Sequence, residues 1–98
     1  MTINKTIDGN TETLALGGWL DYDAAPGLAE ELKELGSGVT SLVLDCSDLE
    51  YISSSGVRLF VEAYSKMKGA VKLRNVSEDV MEVLRITGVA DRIPVEQS

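Results

Sequence analysis

The sequence predicts a single α/β domain over residues 1–98, with a mixed, mostly parallel central sheet that begins as an N-terminal β-hairpin. The predicted order is β-β-α-β-α-β-α, with room for a final short strand. Three observations predict it. At 98 residues the chain fits one core, on a prior of ~150 residues per domain. Its opening segments approximate a period of two around a turn sequence, as a hairpin does. Beyond them, short apolar runs alternate with segments whose apolar residues recur every three or four positions. Strand-helix-strand units of that kind set their strands parallel through right-handed crossovers.

The hairpin comes from residues 2–7 and 11–16, the second strand extending to about Trp19, with Asp8, Gly9 and Asn10 supplying the turn. The first strand falls at a sheet edge. Asp23 is placed to accept from the free amides of a first helical turn, and Pro26 falls in that turn, where a missing N–H costs nothing. Ala25, Leu28, Ala29, Leu32 and Leu35 then form one apolar stripe, and Gly36-Ser37-Gly38 ends the helix. Residues 39–45 form the central strand; successive Leu42, Val43 and Leu44 predict cover on both faces. Cys46 follows it as a small buried hydrophobe. The segment from Ser53 to Gly69 predicts a second helix with Val57, Phe60, Val61, Tyr64 and Met67 inward, followed by a strand over 70–74. Ser77, Glu78 and Asp79 open a third helix whose inner stripe is Val80, Val83, Leu84 and Thr87, and Gly88 closes it. Pro94 confines any strand at 92–95 to an edge.

Charge and composition narrow the function. There are 9 Lys and Arg against 16 Asp and Glu, a formal net charge of -7. Residues 1–50 carry 2 basic and 10 acidic side chains, whereas residues 51–98 carry 7 and 6. Such a surface repels the phosphates of nucleic acid and of anionic membranes, so the expected partner is a protein, with no direct nucleic-acid contact. No run of 18 apolar residues and no recognisable secretory signal occurs, so no membrane insertion and a cytoplasmic location are expected. One cysteine and no histidine leave no disulfide, no expected metal and no Ser-His or Cys-His nucleophile. Neither a phosphate-binding loop nor a dinucleotide fingerprint is present, so no cofactor is expected. A small hydrolase using one of the serines lacks a visible base. Asp21, Asp23, Asp45 and Asp48 are accounted for first by capping and solvation, then by partner contact.

The unusual feature is Ser53-Ser54-Ser55-Gly56, between a central strand and a helix. One hydroxyl suffices for an N-cap. The surplus points to anion binding at the free helical amides or to a serine offered to a kinase.

The run from Leu42 to Gly69 resembles the central segment of the STAS domain in bacterial anti-sigma factor antagonists. That pattern is a strand ending in Asp, a short acidic loop, Asp-Ser-Ser/Thr-Gly and an apolar helix. Gly18 to Leu32 is similar to the family's Gly-x-Leu-Asp stretch, and Asn75 to Val95 to its last helix and closing strand. Anchored on Gly56, the family's phosphorylated serine falls on Ser54, Ser55 matches the following Ser/Thr, and Ser53 stands where the family has Asp. The resemblance implies a non-catalytic protein-binding switch. Its partner would be an anti-sigma factor with serine kinase activity, and a phosphatase would reverse the modification. The partner-binding residues it implies are Asp21, Asp23, Asp48, Ser53, Ser55, Gly56 and Arg58 around Ser54. A weak homodimer is compatible with it. The alternative is a constitutive STAS interaction subunit of a signalling or membrane-transport assembly.

Overall fold

Gly9, at φ +63°, turns the chain between β1 (Thr2–Asp8) and β2 (Thr11–Leu20), which pair antiparallel from Thr2↔Gly17 to Asp8↔Thr11. The computed structural model describes residues 1–97. After the hairpin come α1 (Ala25–Lys33), β3 (Ser41–Ile52), α2 (Ser54–Lys66), β4 (Val71–Arg74), α3 (Glu78–Ile86), a 3₁₀ turn (Val89–Asp91) and β5 (Val95–Glu96). The sheet order is β1-β2-β3-β4-β5, and every pairing after the first is parallel. Each crossover therefore steps one strand in the same direction, and right-handed crossovers then stack all three helices on one face.

That face carries the core. Leu14 and Leu16 of β2, Leu42, Leu44 and Cys46 of β3, and Val71 and Leu73 of β4 pack with Leu28 and Leu32 of α1, Phe60 and Ala63 of α2, and Val80 and Leu84 of α3. The sequence predicted cover on both sides of Leu42–Leu44, and here the structure differs. Val43 is buried but stands outside this cluster, on the helix-free face, with Thr13 and Lys72 as its register partners. Flanking strands shield it, without a second layer of helices.

The central strand is also longer than the sequence suggests, running through Asp48 and Glu50 to Ile52 instead of stopping at 45. Register shifts between Ala15 and Gly17 and between Gly18 and Trp19 let β2 keep pace, the latter aided by Gly18 at φ +85°. They break the alternation, so the buried residues become Cys46, Leu49 and Ile52, three apart. The stretch expected as an acidic loop is therefore strand.

At the start of α1 the side-chain cap predicted for Asp23 is not formed, and Asp21 instead holds the turn that leads into the helix. The Ala24 amide donates to Asp21 Oδ1 at 2.9 Å and the Ala25 amide to the Asp21 carbonyl at 3.0 Å, while Asp23 is exposed. The last strand begins at Val95, after Pro94, whose missing N–H postpones pairing. Ser77 caps α3 by accepting from the Val80 amide, and Gly88 leaves it at φ +82°, both as predicted.

Candidate functional site

β2 and β3 end in register, Leu20 opposite Ile52, and the Ser53 amide donates to the Leu20 carbonyl at 2.8 Å. The chain turns there into α2. Gly56, in the first turn, is buried against those strand ends: a Cβ would lie 2.7 Å from Leu20 Cγ and 2.8 Å from Ile52 Cγ1. Gly56 therefore offers no side chain to a partner and instead fixes how closely α2 approaches the sheet.

The three serines divide the work. Ser53 is the N-cap: its φ of -90° and ψ of 172° are extended, and its Oγ accepts from the Gly56 amide at 3.3 Å. Ser54, the first helical residue, is exposed, and its hydroxyl makes no hydrogen bond to the described residues. Ser55 is half-buried on the wall of an open groove of about 490 Å³ between the first turns of α1 and α2. Tyr22, Asp23, Pro26, Arg58 and Leu59 also line that groove. Arg58, one turn beyond Ser54, is exposed and forms no ion pair with a described residue.

Of the predicted site residues, the structure brings Asp23, Ser55 and Arg58 together in this groove. Asp21 lies half-buried at its edge, occupied with the Ala24 amide. Asp48 lines a separate groove with Trp19 and Glu50. Sequence reasoning missed Tyr22 and Leu59 as groove walls, and Trp19 and Tyr51 as exposed aromatics. The available signal was the pair of aromatic residues Trp19 and Tyr22 on either side of Leu20-Asp21.

The arrangement suits recognition. The Cys46 thiol is fully buried, and desolvation, helped by the neighbouring Asp45 carboxylate, pushes it up to about 12, so it is not a nucleophile at neutral pH. Among the described residues no group of three or more acidic or cysteine side chains could hold a metal ion, and no helix is long and apolar enough to cross a membrane.

The model of the STAS domain family matches residues 2–98. The anti-sigma-B factor antagonist of Bacillus subtilis (strain 168) is 31% identical over 100 residues, covering 97% of this chain and 92% of that protein. An anti-sigma factor antagonist from Mycobacterium paratuberculosis superposes with a TM-score of 0.87 at 18% identity, over 97% of this chain and 84% of the other. The Bacillus cell fate determinant SpoIIAA in its phosphorylated form superposes with a TM-score of 0.74 at 19% identity, over 96% and 90%. The five-stranded sheet with its antiparallel first pair, the Ser-Ser-Gly turn into α2 and the full-length match together place this chain in the STAS domain family.

Proposed function

We propose that this protein is an anti-sigma factor antagonist whose binding is switched off by phosphorylation of Ser54. Unmodified, the first turn of α2 and the adjoining groove dock on an anti-sigma factor that is also a serine kinase, which frees the sigma factor. The partner then transfers phosphate from ATP to Ser54 and is released, and a separate phosphatase restores the unmodified state.

The observation that carries this reading is the division among the serines. Ser53 is committed to capping and Ser55 is half-buried on the groove wall, while Ser54 is the exposed one of the three and its hydroxyl is unengaged by the described residues. A phosphate there also suits the folded protein. The first-turn amides have no intrahelical partner, the helix dipole favours an anion, and Arg58 stands at i+4 on the same face. Phosphorylation therefore leaves the fold intact and acts on the interface. A phosphate pressed against an acidic partner group costs about 4 kcal/mol per close charge pair at intermediate dielectric, roughly a thousandfold in affinity. Ser53 in place of the family's Asp supplies the same capping chemistry without a fixed charge beside the acceptor.

Incubation with the cognate anti-sigma factor and ATP, followed by phosphopeptide mapping, tests the assignment. We expect the label on Ser54, and a Ser54→Ala protein that binds the partner but takes no label. A label on Ser53 or Ser55 overturns it.

A further inference from the structure

The ends of β2 and β3 carry a second surface that the antagonist reading leaves unused. Trp19 and Tyr51 are register partners across the two strands, with ring centroids 5.0 Å apart and planes tilted by 34°. Trp19 is 58% exposed and Tyr51 40%, although the adjacent Leu20 and Ile52 are buried. Trp19 also walls an open groove of about 860 Å³ with Met1 and Leu49, and the groove's charged side chains are Asp48, Glu50 and Asp79, three carboxylates against the single Met1 ammonium, with no lysine or arginine.

This combination selects the chemistry of an occupant. The three carboxylates repel a phosphate or nucleotide, and an apolar segment would strip water from them without compensation. Among the described residues no acidic cluster could hold a metal ion, so these carboxylates do not converge on a single cation. An exposed indole amid spaced carboxylates instead attracts side-chain cations twice, by charge and by the quadrupole of the ring face. A planar guanidinium gains further by stacking.

We propose that this groove docks a basic segment of a partner protein, with an arginine or lysine side chain over the Trp19–Tyr51 pair and neighbouring cations against Asp48, Glu50 and Asp79. The groove shares no lining residue with the groove between α1 and α2, so either can fail without the other.

Trp19 is the only tryptophan in the chain, so its emission reports occupancy directly. The probe is a fluorescein-labelled tetra-arginine peptide titrated into the full chain at about 50 mM salt, where surface attractions are only partly screened. We expect saturable binding by anisotropy, with a matching change in Trp19 emission when the unlabelled peptide is used. The triple variant Asp48→Asn/Glu50→Gln/Asp79→Asn should bind at least about tenfold more weakly. The control Glu34→Gln/Glu62→Gln/Asp91→Asn removes the same charge elsewhere and should lose less than about threefold. Trp19→Ala should weaken binding at least about threefold while Trp19→Phe retains most of it. Equal losses in the two triple variants, absence of binding, or an unchanged Trp19 emission would overturn the proposal. So would sedimentation showing that a second copy of the chain, without peptide, covers Trp19.

Discussion

A methyl group added at Gly56 would meet Leu20 Cγ at 2.7 Å and Ile52 Cγ1 at 2.8 Å, inner carbons of two buried side chains that have little room to move. The glycine thus holds the first turn of α2 against the strand ends, which is what brings Ser54 to the surface. We predict that Gly56→Ala destabilises the protein by about 1–3 kcal/mol through overpacking, despite alanine's better helix propensity. Urea unfolding checks this, and a variant of unchanged or higher stability would mean that α2 does not approach so closely. The sequence made the serine run conspicuous but left its division of labour unread. Which hydroxyl caps, which faces solvent and which lines the groove depends on where the first helical turn falls relative to Leu20 and Ile52. The entry to α1 shows the same limit: Asp21 and Asp23 are chemically equivalent candidates, and the turn geometry sets Asp21 on the Ala24 amide ahead of the helix and leaves the first turn without a side-chain cap.

Among the elements, α2 carries the largest side chain in the core, Phe60, fully buried among residues of the sheet and its neighbouring helices. Phe60→Ala is expected to cost about 3–5 kcal/mol, from lost burial and the cavity left behind. A measured loss below about 1 kcal/mol would place the inner face of α2 elsewhere. On β2 the core face begins with Glu12, only 2% exposed. Burial holds its carboxyl above the ordinary value of 4.5; Lys5 opposes this, and the carboxylates of Glu31 on α1 and of Glu34 just beyond it add to it. The folded state then keeps a proton that the unfolded state releases, so this group's contribution to stability falls as the pH rises above about 4.5. Glu12→Gln removes that loss. Its stability relative to the wild type should increase between about pH 4 and pH 7, and a decrease measured by urea unfolding would reverse the assignment. The hairpin, the three helices and the caps of α3 were legible because period, turn residues and caps are local. The second half of β3 was not, because the extra residue that β3 carries at each register shift against β2 spaces its buried residues three apart and hides the strand period. Gly56 and Ala63 on the inner face of α2 escaped notice because small side chains add little to an apolar pattern.

Over the whole molecule the net charge of -7 contains an uneven distribution, with 10 acidic and 2 basic side chains in residues 1–50. Asp23 lines the groove beside Ser55, and Asp48 and Glu50 line the Trp19 groove, while the overall excess suits protein partners and opposes polyanions. Duplex DNA binding should therefore be undetectable at about 0.15 M salt, and micromolar retention of unrelated duplexes in a filter assay would contradict this. Under the proposed switch, a further charge of about -1.5 to -2 at Ser54 acts on the interface directly and requires no large rearrangement of the backbone. Circular dichroism and unfolding midpoints of the two forms should therefore coincide within a few degrees while their affinities diverge. The most direct test is calorimetry of the anti-sigma factor with unmodified protein and with protein stoichiometrically phosphorylated on Ser54. The account predicts binding at least about tenfold weaker for the phosphorylated form, and equal affinities would contradict it.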